Sequence, residues 1–165
     1  MKQTECLAAQ LGQQLLARGE WLATAESCTG GLIGAALTDI AGSSQWFGFG
    51  FITYSNQAKQ HLLGVTAETL AQDGAVSERT VREMAEGART RSGADWSVAV
   101  SGIAGPGGGS ADKPVGTVWF AIAGPNGFTE AMVRQFDGGR AEVRAQTVEV
   151  ALERLTQLLE APLSA

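Results

Sequence analysis

Apolar residues return every three or four positions at the start of the chain. Leu7, Leu11 and Leu15, with Ala8 and Leu16 beside them, form a stripe that ends before Gly19. That is the period of a helix with one buried face. Trp21 to Ala25 is a short apolar run of the kind that forms a buried strand, and Gly30 to Leu37 reads as a helix of small residues ending before Gly42. Phe47 to Tyr54 is aromatic and β-branched enough for a strand, despite Gly48 and Gly50. Asn56 is placed to cap a short helix through Leu63, closed by Gly64, and a further short helix fits Thr66 to Gln72, with Gly74 beyond its end. Ser77 caps a longer helix whose Val81, Met84, Ala85 and Ala88 share a face. Trp96 to Val100 is another strand, running into the loop Ser101 to Ser110. Gly116 to Ala123 and Phe128 to Phe136 read as two strands joined by the turn Gly124-Pro125-Asn126-Gly127. The last helix, Arg140 to Leu159, is expected to bury Val143, Thr147, Val150, Ala151, Leu155, Leu158 and Leu159. Strands interleaved with helices predict a three-layer α/β/α sandwich, and the hairpin makes its sheet mixed, though mostly parallel. Neither a repeat nor an interdomain linker interrupts the pattern, so residues 1–165 are expected to form one domain.

Composition agrees with that fold and narrows the chemistry. The chain is 44% hydrophobic and 18% charged, as expected of a compact domain and not of a disordered one. Glycine is the outlier: 22 of 165 residues, about 13% against a usual level of roughly 7%. These glycines gather in a few loops, where backbone shape matters. A formal net charge of −5 gives no basic footprint for nucleic acid. It leaves small anions open, because a helix start or an arginine sets the local field. No apolar run approaches the roughly 20 residues of a membrane span, and Glu5 with several glutamines interrupts any signal-peptide core. Cys6 and Cys28 make neither a disulfide framework nor a metal spacing. Cys6 is expected to be a small packing residue of the first helix, and the setting to be cytoplasmic.

The segment Ala25-Glu26-Ser27-Cys28-Thr29-Gly30-Gly31 sits where a strand gives way to a helix. Side chains there project from the end of a sheet. The glycines let the backbone approach a ligand, and the helix start offers N–H groups to negative charge. Ser27 is the first candidate nucleophile and needs a neighbouring base. His61 is the only histidine and falls on a polar helix face, so a Ser-His-Asp triad is not expected. A Ser–Lys pair needs no histidine. Lys59 follows Tyr54-Ser55 by one helical turn, and burial would lower its proton affinity enough for it to act as a base. Spacing alone favours Lys59 as an exposed helix lysine, and it allows Ser27 or Thr29 to be a helix cap. Glu26 is open to holding a cation, binding a substrate hydroxyl or serving the helix dipole. Cys28 is a rival nucleophile, since a helix start favours the thiolate. The loop Ser101-Gly102-Ile103-Ala104-Gly105-Pro106-Gly107-Gly108-Gly109-Ser110 has the glycines to wrap a phosphate but neither P-loop nor dinucleotide spacing. Arg140 and Arg144 lie one turn apart after Gly138-Gly139, two guanidinium groups suited to phosphate or carboxylate.

Six segments, in order along nearly the whole chain, resemble the CinA C-terminal domain family, whose stand-alone members are nicotinamide-mononucleotide amidohydrolases. They are Thr24 to Gly31, Thr38 to Ser44, Thr53 through Lys59, Gly74 to Ser77, Ser101 to Pro106 and Lys113 to Val118. The extra N-terminal domain of longer members has no counterpart here, so the resemblance is to the single-domain form. It implies hydrolysis of the nicotinamide mononucleotide carboxamide to nicotinic acid mononucleotide and ammonia, in pyridine-nucleotide recycling. It further implies Ser27 as nucleophile, Lys59 as its base and Tyr54 assisting, with no metal and no cofactor. Thr29, Gly30 and Gly31, with Ser101, Gly102, Ala104, Gly105 and Arg140, become the expected substrate contacts. Backbone N–H groups near Thr29 to Gly31 are the expected oxyanion donors. Gly139 departs from the polar residue many relatives carry there, and no side-chain role is expected of it. The expected partner is the small-molecule substrate, with assembly into a homo-oligomer, a dimer or higher. A catalytically silent nucleotide- or partner-binding module is the competing expectation.

Overall fold

A computed structural model describes residues 3–160. In chain order its elements are α1 (Gln3–Arg18), β1 (Leu22–Glu26), α2 (Leu32–Thr38), β2 (Phe47–Ile52), α3 (Asn56–Leu63), α4 (Ala67–Asp73), α5 (Glu78–Ser92), β3 (Trp96–Gly102), β4 (Thr117–Ala123), β5 (Thr129–Gln135) and α6 (Arg140–Leu159). The five strands form one sheet in the order β2-β1-β3-β4-β5. β1 lies between β2 and β3, parallel to both, while β4 is antiparallel to β3 and to β5. The expected mixed sheet is present, and β4 alone runs against the other strands. Helical crossovers supply the parallel pairings, while the loop 103–116 and the turn at Gly124–Gly127 supply the two antiparallel ones.

Successive side chains of a strand face opposite sides, and here the two sides are sorted by size. Leu22, Val98, Val100, Val118, Phe120 and Ile122 share one core with Leu11 and Leu15 of α1, Ile33 and Leu37 of α2 and Leu152 and Leu155 of α6. Ala25, Ala99, Ala121 and Ala123 share the other with Val81, Met84, Ala85 and Ala88 of α5. The small face lets α5 lie close to the sheet, and the Ser97 hydroxyl donates to the Ala85 carbonyl at 2.6 Å. α3 is drawn onto α5 in turn. A Cβ at Gly87 would collide with the Leu63 carbonyl oxygen, and Arg91 Nη1 donates to the carbonyls of His61 and Leu62, both at 2.9 Å. The helix that carries Lys59 is thereby fixed on the sheet.

Several boundaries differ from the sequence expectation for local reasons. α2 starts at Leu32 because Gly30 and Gly31 take φ values of 59° and 111°, outside the helical region. Ser55, not Asn56, caps α3, its Oγ accepting from the Ala58 N–H at 3.0 Å. β3 extends to Gly102, into what reads as loop. Cys6 is exposed, not packed. On α6, Val148 and Leu152 are buried, whereas Val150 and Leu158 are only partly so. Among the described residues, no helix is long and apolar enough to cross a membrane.

Candidate active site

The polar centre lies at the carboxyl ends of the parallel strands, where open α/β sheets commonly place a ligand. Ser27 is the first residue beyond β1, and its N–H donates to the Val100 carbonyl of β3 at 3.1 Å. Thr53, the first residue beyond β2, donates its N–H to the Glu26 carbonyl at 2.8 Å. After Ser27 the chain turns through Gly30, whose N–H donates to the Ser27 carbonyl at 3.1 Å.

Glu26 is buried, and its carboxylate serves this turn. Oε1 accepts from Thr29 Oγ1 at 2.5 Å, from the Ile33 N–H at 2.9 Å and from the Gly31 N–H at 3.3 Å, and Oε2 accepts from the Gly34 N–H at 3.0 Å. Of the roles open to Glu26, the structure gives it the one at the helix start, where a carboxylate satisfies orphan N–H groups. From the opposite side Arg144 of α6 donates to the carbonyl oxygens of Cys28 and Thr29, at 3.1 and 3.2 Å.

Lys59 reaches the same point from α3. Its side chain is 1% exposed, and Nζ lies 3.0 Å from Ser27 Oγ, 2.8 Å from the Thr53 carbonyl and 3.1 Å from the Tyr54 carbonyl. The reading of Lys59 as one more exposed lysine is therefore incorrect. No carboxylate forms a salt bridge with it among the described residues. Burial lowers its pKa from 10.5 to about 8, offset in small part by the neighbouring Cys28 side chain. Cys28 moves the other way, pushed up to about 11. Burial is the main cause and Glu26 adds to it, while the N–H groups of Cys28 and Gly102 and the Arg144 charge oppose it. At neutral pH the thiol therefore keeps its proton, whereas Lys59 is tuned toward a neutral amine.

Ser27 and Lys59 open into a cavity of about 290 Å³. Of the residues expected from sequence, Tyr54, Ser101, Gly102, Ala104, Gly105 and Arg140 also line it; Thr29, Gly30 and Gly31 do not. The Thr29 hydroxyl is bonded to Glu26, and the N–H groups of Gly30 and Gly31 go to the Ser27 carbonyl and to Glu26. Tyr54 is 62% exposed, and its hydroxyl accepts from Arg140 Nη2 at 3.1 Å, while its carbonyl is what meets Lys59. Arg140 Nη1 donates to the Gly105 carbonyl at 2.8 Å, so the arginine links Tyr54 to the glycine-rich loop. That loop is anchored by Lys113, whose Nζ donates to the Asp73 carbonyl at 2.6 Å. Cys28, Ile103, Gly107 and Gly108 line it too, as does Asn56, read from the sequence as a helix cap, and the wall is completed by Ala75 and Val76, which residue chemistry did not single out. Only the resemblance marked their segments. His61 is exposed on α3, and no three His, Cys, Asp or Glu side chains converge as a metal site among the described residues.

The fold and site define an open α/β domain with a serine and a buried lysine paired at the carboxyl edge of its sheet. Residues 4–159 match the profile of the CinA C-terminal domain, and the chain belongs to that family. It is 57% identical over 147 residues to the nicotinamide-nucleotide amidohydrolase PncC of Enterobacter agglomerans, covering 89% of this chain and 90% of that one. The protein of the same name from Escherichia coli K12 is 56% identical over 153 residues, 92% of each. A CinA-like protein from Parasynechococcus marenigrum is 53% identical, although the match takes up only 37% of its length. The crystal structure of competence/damage inducible protein CihA from Agrobacterium tumefaciens superimposes with a TM-score of 0.93 at 50% identity, over 98% of both chains.

Proposed function

We propose that this domain hydrolyses the carboxamide of nicotinamide mononucleotide to nicotinic acid mononucleotide and ammonia, with Ser27 as nucleophile and Lys59 as base. The names of the PncC relatives and their identity over nine-tenths of the chain support the reaction. The 3.0 Å contact between Lys59 Nζ and Ser27 Oγ on the cavity wall carries the mechanism. A neutral Lys59 donates its two hydrogens to the Thr53 and Tyr54 carbonyls and turns its lone pair to the Ser27 hydroxyl. It takes that proton as Ser27 Oγ bonds to the amide carbon. The resulting ammonium, with no carboxylate beside it, stabilises the negative oxygen and then passes its proton to the departing nitrogen, releasing ammonia. Water, activated by the same amine, cleaves the acyl-serine ester and restores Ser27. The pyridinium ring withdraws electrons from the carboxamide, which eases attack by a serine.

Arg140 and the loop Ala104 to Gly108 are suited to the substrate phosphate, one with guanidinium donors and the other with backbone N–H groups. Tyr54 contributes its carbonyl to the base and its ring to the cavity wall. Pyridine-nucleotide recycling, a cytoplasmic setting and homo-oligomeric assembly belong to the same proposal. Ammonia release on incubation with nicotinamide mononucleotide tests it, with Ser27→Ala as the silent control. Tight binding of the mononucleotide without ammonia would instead make this a binding module.

A further inference from the structure

We propose that Arg144 is a positioning residue for the nucleophile, its guanidinium fixing the peptide planes of the turn on which Ser27 sits. This inference rests on Ser27 being the nucleophile. Arg140 and Arg144 stand one helical turn apart on α6, and spacing alone offers both to an anionic ligand. The structure separates them: Arg140 lines the cavity and Arg144 does not. Arg144 is half-buried and forms no salt bridge among the described residues. Its Nε and Nη2 are spent on two successive carbonyls, those of Cys28 and Thr29.

In a trans peptide the C=O and the following N–H point in opposite directions. Holding the Cys28 carbonyl therefore fixes the Thr29 N–H, and holding the Thr29 carbonyl fixes the Gly30 N–H, which donates to the Ser27 carbonyl at 3.1 Å. Glu26 grips the far side of the same turn through the N–H groups of Gly31, Ile33 and Gly34. An anion thus holds the N–H groups and a cation the carbonyls. The turn needs such restraint, because Gly30 and Gly31 leave its backbone intrinsically permissive. Ser27 Oγ must stay within hydrogen-bond reach of Lys59, and a misplacement of about 1 Å at a reacting group costs on the order of 100-fold in rate.

The test compares Arg144→Met and Arg144→Lys with wild type in two assays, steady-state ammonia release and the rate of Ser27 labelling by a fluorophosphonate, read by mass spectrometry. We expect Arg144→Met to lower kcat by about 10- to 100-fold, with KM for nicotinamide mononucleotide unchanged within about twofold and labelling slowed by a similar factor. Arg144→Lys, which reaches one carbonyl in place of two, falls between. In Arg144→Ala, added guanidinium ion restores part of the lost kcat, which relief of a purely structural defect would not do. A folded Arg144→Lys with full kcat and full labelling rate overturns the proposal. So does a rise in KM at constant kcat, which would make Arg144 a substrate contact. If wild type labels at Ser27 yet releases no ammonia, the substrate assignment fails and the labelling rates alone decide the role of Arg144. No labelling of wild-type Ser27 overturns both.

Discussion

The buried Lys59 predicts a particular pH dependence. An ordinary lysine with a pKa of 10.5 has roughly one amine in three thousand neutral at pH 7, whereas one held at about 8 has roughly one in ten. Burial therefore raises the concentration of competent base about 300-fold at neutral pH. kcat/KM for ammonia release is expected to climb about tenfold per unit below pH 8 and level off above it, because this ratio reports the free enzyme's base. The substrate phosphate loses its second proton near pH 6, about two units below the break at pH 8 and so separable from it. A thiolate nucleophile would place the rise near 11, the value to which Cys28 is pushed. The assay is a kcat/KM profile from about pH 5.5 to 10 at constant ionic strength, on wild type and Cys28→Ala. A flat profile across pH 7–9, or a limb that disappears with the thiol, refutes Lys59 as the base.

The same shift sets a stability window. The folded-state pKa lies below the unfolded one, so between about pH 8 and 10.5 the unfolded chain holds the extra proton and stability rises with pH. The span corresponds to roughly 3 kcal/mol. It should appear as a wild-type urea midpoint that gains on Lys59→Met between pH 8 and 10, the raised Cys28 thiol opposing the rise in both proteins above about pH 9. A Lys59→Met midpoint that rises as much as wild type would assign the effect elsewhere.

Ser27→Ala and Lys59→Ala are each expected to lower kcat by at least about 1,000-fold, and the double variant to be little worse, because the pair acts as a unit; additive losses would show that they act separately. Arg140→Ala should lower kcat/KM for nicotinamide mononucleotide by roughly 10- to 100-fold and leave the riboside nearly unchanged. Equal losses on both substrates would remove Arg140 from phosphate recognition. Prolonged chelation should leave turnover intact, since Lys59 supplies the base that a metal-bound hydroxide would otherwise provide. Inactivation reversed by one divalent ion would contradict this.

Regular periodicity carried most of the fold. α6 begins and ends where its pattern does because 20 residues repeat without a breaker, and Ser27 stood out as a hydroxyl at the exit of an apolar strand. Longer-range contacts were hidden. The small apolar run after Thr29 looks helical from Gly30, yet positive φ at two glycines delays α2 until Leu32. Glu26 stays open between a ligand and the helix start until the N–H groups of α2 are seen to claim it. Arg140 and Arg144 share a helix face about 6 Å apart, so only the packing of α6 on α1, α2 and the sheet decides that one meets the cavity and the other the turn at Ser27. Lys59 looked solvent-facing because the carbonyls that receive it come from the end of β2, outside its own helix. Ala75 and Val76 have no chemistry to advertise, and a wall made of shape alone leaves no mark in the residue types.

Ser27 and Thr53 are the residues that follow the last β1–β2 partners, Glu26 and Ile52. The gap between the proposed nucleophile and its base is therefore gauged by strand register, which advances in steps of about 3.3 Å. A hydrogen bond cannot survive one such step, so these two strands admit no graded drift: the spacing is retained or the chemistry is lost. The rim at Gly105 to Gly108 is under no such gauge. Descendants of this fold are free to remodel that rim toward new amides while inheriting the reaction unchanged, like interchangeable jaws on one vice.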